Sequence, residues 1–199
     1  MKNTTVAFIA IVILVIASMY IMLKQPNQPQ SQVNKNYSTP TPAVLGSAID
    51  TSKALKPRIK TSGCKALNSL PDSDCTPGAI FSNATKDQIC TPGYSKTVRN
   101  VSVATKKKVY EEYGIVTHVT GQYEVDHHVS LELGGSNDIA NLWPEAAEPK
   151  PGFHQKDQVE NYLHNKVCDG EISVYEAQME IASNWLQVYN RMLQEMPAQ

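Results

Sequence analysis

The sequence lacks a large net charge of either sign. Its 18 Lys and Arg stand against 19 Asp and Glu, a formal net charge of −1, so the whole chain shows none of the basic excess usual in nucleic-acid binders. It lacks any CxxC pair or HExxH run, which removes the cysteine-clipped zinc site and the zincin-type metalloenzyme from consideration. It also lacks room for two cores. Of 199 residues, roughly the first fifty do not read as globular, leaving one domain of ordinary size.

Among what is present, the amino terminus is the first specific signal. Residues 6–23, VAFIAIVILVIASMYIML, follow a polar start containing Lys2 and are closed by Lys24. A helix of that length, at about 1.5 Å per residue, approaches the ~30 Å hydrocarbon core of a bilayer. Residues 1–24 are therefore expected to be a membrane anchor. The alternative is a cleaved signal segment, giving a secreted protein, although Ala17-Ser18-Met19 is a poor cleavage site. Residues 25–56 are rich in Gln, Asn, Pro, Ser and Thr, too poor in large apolar groups to repay ordering, and read as a flexible linker. The folded domain is assigned to residues 57–199.

Cys64, Cys75, Cys90 and Cys168 are an even number spread through that domain. Two disulfides are the expectation, and with the export segment they put the domain outside the cytoplasm, periplasmic or extracellular. Four free thiols in a cytosol-facing domain are the competing reading. Charge is also unevenly spread: residues 58–114 hold nine Lys or Arg and five acids, whereas residues 120–199 hold four and thirteen. The basic half could contact phosphate and the acidic half hold a metal; two ordinary solvated surfaces would look the same.

Cys75-Thr76-Pro77-Gly78 and Cys90-Thr91-Pro92-Gly93 read as turns tied by cysteines. Thr105 can cap a helix over residues 106–113, ended by Gly114. Residues 123–131, YEVDHHVSL, have the β-branched and aromatic content of a strand, and Gly134-Gly135-Ser136-Asn137 marks the following loop. Residues 154–167 read as a helix from the repeat of Val159, Leu163 and Val167, with Gly170 past its end. Ser173 and Glu176 make a capping box for a last helix whose Val174, Ala177, Ile181, Trp185, Val188 and Met192 form one apolar stripe.

The chemistry gathers on Asp126 and His127, followed by the Gly-Gly loop, Asn141-Leu142, and a helix carrying His154, Asp157 and Glu160. The run YEVDHHVSLELGGSNDIANLWPE resembles the HNH, or His-Me finger, endonucleases, and the flanking cysteine segments are similar to a small exported subgroup. The resemblance implies an α+β fold with a ββα-metal core over about residues 122–167, and a metal-dependent endonuclease that hydrolyses phosphodiester bonds of DNA or RNA. Such hydrolysis needs a base titrating near neutral pH, a cation to neutralise charge, and in-line positioning of a water.

Resemblance and chemistry both assign His127 as general base and Asp126 as hard-oxygen ligand to one divalent metal, Mg2+ first, Mn2+ or Zn2+ as alternatives. The second ligand should come from the helix: His154 by type, Asp157 or Glu160 by spacing. Asn141 would pin the loop and orient the base. An alternative register makes His127 a ligand and His128 the base. Arg99, Lys106, Lys107 and Lys108 are the candidate phosphate contacts, carrying no base information, so strong sequence specificity is not expected. The implied partners are a nucleic acid and, through residues 6–23, a membrane. From a different functional class comes the competing reading, a catalytically inactive, membrane-anchored binding module on the same scaffold.

Overall fold

The protein is seen here as a computed structural model that describes residues 54–195. The apolar run at residues 6–23, and nearly all of the linker at 25–56, lie outside the described residues. No described helix is long and apolar enough to cross a membrane.

The structure is mixed α and β. In chain order it comprises helices α1 (Lys86–Ile89), α2 (Tyr94–Val98) and α3 (Val103–Glu112), strand β1 (Tyr123–His127), strand β2 (Leu142–Ala146), and the long helices α4 (Phe153–Asp169) and α5 (Val174–Glu195). The two strands pair antiparallel, with Glu124 opposite Glu145, Asp126 opposite Trp143 and His127 opposite Leu142.

Strand β1 stops four residues short of the expected end, for a visible reason. The ladder closes with the His128 amide donating to the Asn141 carbonyl at 2.7 Å. Beyond it, the Asn141 side chain takes over: its Oδ1 accepts from the Val129 amide and its Nδ2 donates to the Val129 and Ser136 carbonyls. Ser130 then caps a short 3-10 turn, Leu131–Leu133. Gly135 follows where the chain doubles back so closely that a Cβ there would lie 1.8 Å from the Val129 carbonyl oxygen, which explains why the loop needs a residue without a side chain.

Helix α3 starts earlier than the sequence suggested. Ser102, not Thr105, is its N-cap, accepting from the Thr105 amide at 3.0 Å, while Gly114 beyond its end has a φ of +70°. The expected capping box of α5 is present: Ser173 Oγ accepts from the Glu176 amide, and Glu176 accepts from the Ser173 amide.

Val159, Leu163 and Val167 of α4 pack with Ala177, Ile181, Trp185 and Val188 of α5 in one buried cluster that also holds Val129 and Leu133. Each such large side chain contributes about 1.5–3 kcal/mol by leaving water. The apolar stripe of α5 does not run along a straight helix. Asn184 has non-helical dihedrals, and its Oδ1 accepts from the Gln187 amide, capping the helix anew after the break.

All four cysteines are paired, Cys64–Cys75 and Cys90–Cys168, with none free among the described residues. The second bridge ties α1 to the end of α4, and so fastens the cysteine-turn segment to the two-helix core.

Candidate active site

His127 ends β1 and is buried. Its Nε2 lies 3.2 Å from Asn137 Oδ1. Two further bonds fix which way the Asn137 amide faces. Its Nδ2 donates to the Val98 carbonyl at 2.7 Å, and its Oδ1 accepts from the Asn100 amide at 3.1 Å. An acceptor oxygen therefore faces the imidazole, so Nε2 carries the proton and Nδ1 holds the free lone pair. Nδ1 takes no hydrogen bond from the described residues and is not sealed from solvent, in contrast to Nδ1 of His128. Burial pushes the His127 imidazole below its ordinary value, against the opposing pull of Asp126, so it is neutral at neutral pH, as a proton acceptor must be.

Beside His127 one buried ammonium meets three carboxyls, Glu145 buried and Asp126 and Glu160 half-buried. Lys156, fully buried on α4, donates to Asp126 Oδ2 at 2.6 Å, to the His127 carbonyl at 2.8 Å, and to Glu160, while Glu145 Oε2 lies 3.9 Å away. Glu160 also accepts from Ser130 Oγ at 2.8 Å.

Burial opposes the charge on every member of the cluster, and the neighbours decide the outcome. For Asp126 the Lys156 charge and hydrogen bond outweigh burial and hold its carboxyl below the usual range. For Glu145 burial dominates and pushes it well up. Glu160 is pushed up to about 7, burial exceeding the effect of Lys156. Burial alone would discharge Lys156, but Asp126, Glu160 and Glu145 reverse that and hold it above its ordinary value. The Asp126 charge adds to the upward push on Glu145. Both Glu145 carboxyl oxygens are buried without a hydrogen-bond partner among the described residues, the condition that disfavours a charged carboxylate there.

This arrangement does not fit the divalent-metal site expected from the sequence. Oδ2 of the Asp126 carboxylate already accepts from the Lys156 ammonium. His154 and Asp157 are exposed on α4. They lie within electrostatic range of Asp126 and Glu124 but do not close with Asp126 into a ligand group. Among the described residues, the group whose ligand atoms lie within 4.8 Å of one another is Cys90, His164 and Cys168. That group could hold a metal ion, of unspecified identity, once its two sulfurs are thiolates; in the structure they form a disulfide.

Of the remaining sequence candidates, Asn141 pins the loop as expected, through bonds to Val129, Ser136 and the Ala79 amide, but the residue that orients His127 is Asn137. His128 is not at the site. It is buried on the other side of the strand, where its Nε2 donates to the Ala182 carbonyl at 2.9 Å, beside the break in α5. Burial pushes it down to about 4. Arg99 is exposed, and its charge reaches His127, Glu124 and Asp157. Lys106, Lys107 and Lys108 are exposed on α3; Lys107 pairs with Glu111, and Lys106 and Lys107 border a depression with Tyr110 and His118 rather than the His127 site.

Lys156 and Glu145 were missed in the sequence, although Lys156 left a signal. It shares the face of Val159, Leu163 and Val167, and a lone cation on an apolar helical face demands a buried partner. Comparison with known proteins adds no relative: no family model matches the chain, and neither the curated proteins nor the solved structures searched contain a match.

Proposed function

We propose that the chain is an endonuclease that hydrolyses nucleic-acid phosphodiester bonds with His127 as general base. The observation that carries this reading is the Asn137-anchored imidazole, held as the Nε2–H tautomer with Nδ1 open. The order of strand, loop, strand and helix, with His127 closing the first strand and α4 bonded to its end through Lys156, supports a His-Me finger core. In the reaction, Nδ1 takes a proton from water, the hydroxide oxygen bonds to phosphorus, and the opposite P–O bond breaks. The departing oxygen is protonated from solvent. Arg99, exposed and electrostatically linked to His127, neutralises the phosphate as charge builds. Such a contact is blind to base identity, so cutting of DNA, and of RNA, is without strong sequence preference. In the cell the domain stands outside the cytoplasm on its linker, tethered by residues 6–23.

The test is conversion of supercoiled plasmid to open-circular and linear forms by the full-length chain in detergent with its disulfides formed. Cleavage is the expected result. A second reading, a binding module that does not cut, is favoured by one observation: His127 is only 2% exposed. Retardation of DNA by folded protein without any strand breakage selects it.

A further inference from the structure

Divalent ions and ammonium groups solve the same problem, concentrating positive charge among carboxylates, and a site has room for only one of them. At Asp126 the positive charge comes from an ammonium. Lys156 Nζ is fully buried, within 2.6 Å of Asp126 Oδ2 and 2.8 Å of the His127 carbonyl, bonded to Glu160 and 3.9 Å from Glu145. Two carboxylates and a backbone carbonyl thus already turn their oxygens to an ammonium, with the third carboxyl further off. Lys156 is carried there by α4, one turn before Val159 in the core, so its stem is packed and the head has no exit to solvent.

We propose that the Lys156 ammonium is the permanent cation of this site, a positioning residue that takes the part of a divalent metal and ties the Asp126 carboxylate and the end of β1 to α4, so that the chain needs no metal at Asp126. The proposal rests on the reading of His127 as the base. Lys156 touches the His127 carbonyl and the neighbouring carboxylate, not the imidazole nitrogens, and therefore sets the strand end from which His127 projects. Its charge also offsets that of Asp126 and Glu160, so that the phosphate of a substrate does not meet two unbalanced acids. An ammonium with three bonds to protein and a packed stem has none of the lability of a bound ion, and a chelator cannot remove it.

The experiment uses the full-length, disulfide-bonded chain in detergent, stripped of metal. Mn2+ is titrated into wild type and Asp126→Asn with free ion followed by electron paramagnetic resonance, and melting is recorded with and without Mn2+ for wild type and Lys156→Met. The expected result is no Mn2+ binding that Asp126→Asn abolishes, and a wild-type melting temperature unmoved by Mn2+. Lys156→Met, which leaves Asp126, Glu160 and the His127 carbonyl without their cation, should melt lower and be raised again by Mn2+, a response that loss of packing alone would not produce. Wild-type binding of Mn2+ that disappears in Asp126→Asn overturns the proposal, as does a Lys156→Met protein that folds and ignores Mn2+. If Lys156→Met does not fold, the wild-type and Asp126→Asn titrations decide alone. Where the chain cuts plasmid, a rate in EDTA within about twofold of that in Mg2+ supports the proposal, and loss in EDTA reversed by Mg2+ overturns it. Absence of cutting under every condition sinks the nuclease reading while the Mn2+ titrations still judge Lys156.

Discussion

Acidification of His128 gives a prediction whose sign and size follow from the structure. The ring is buried against the break in α5, with Nε2–H on the Ala182 carbonyl and no partner for Nδ1. A second proton would sit on that Nδ1 in a dry site, so burial pushes the group down to about 4 from an ordinary 6.5. The unfolded chain binds the proton first. Stability from this source is therefore complete above pH 6.5 and is lost as pH falls toward 4, by about 3 kcal/mol at 1.36 kcal/mol per unit. Glu160 opposes it: its pKa is raised from 4.5 to about 7, so its share of stability is present below pH 4.5 and lost as pH rises through 7. The wild-type curve alone would hide both. The decisive quantity is the difference in unfolding free energy between wild type and His128→Gln, whose amide can keep the bond to Ala182, from urea titrations between pH 7.5 and 4. That difference should shift by about 3 kcal/mol in favour of the variant on going from the top to the bottom of the range. Parallel pH profiles for the two proteins would refute the reasoning.

Three further outcomes follow from the same packing. Lys156→Met strands Asp126 and Glu160 without their cation and should cost about 3–5 kcal/mol. For a unit of roughly 140 residues, that lowers the melting temperature by about 10–15 °C at neutral pH, read by calorimetry, with a smaller loss at pH 5, where the freed carboxyls can take up protons. The bridges should differ in worth. Closing loops of 78 and 11 residues, they constrain the unfolded chain by about 4.5 and 2.7 kcal/mol, so Cys90→Ala with Cys168→Ala should shift the urea midpoint further than Cys64→Ala with Cys75→Ala. Asn137→Leu removes the acceptor that selects the His127 tautomer and should reduce kcat on plasmid by about ten- to a hundredfold with KM little changed.

How far the sequence spoke depended on whether a feature was local. The caps at Ser173 and Glu176, the end of α4 at Gly170 and the core repeat of Val159, Leu163 and Val167 are set by neighbours a turn apart, and all were legible. The even cysteine count pointed to two bridges, but their connectivity needed the fold. The end of β1 was missed because a side chain, Asn141, replaces the backbone ladder there. The site divided in the same way. Asp126 and His127 stand out as adjacent residues, whereas Asn137, Glu145 and Lys156 meet them only through the β1–β2 pairing and the packing of α4. A histidine pair gave no indication of which ring would meet Asn137 and which the Ala182 carbonyl; both partners are distant in sequence or lie across a loop.

The central claim, hydrolysis by the His127 imidazole, is tested most directly by comparing plasmid cleavage by wild type and His127→Ala of equal fold, judged by matched circular dichroism and melting. A general base contributes about 10²–10⁴-fold, so the account predicts cutting by wild type and a loss of that order in the variant. Equal cutting by both proteins, or none by the folded wild type, would contradict it.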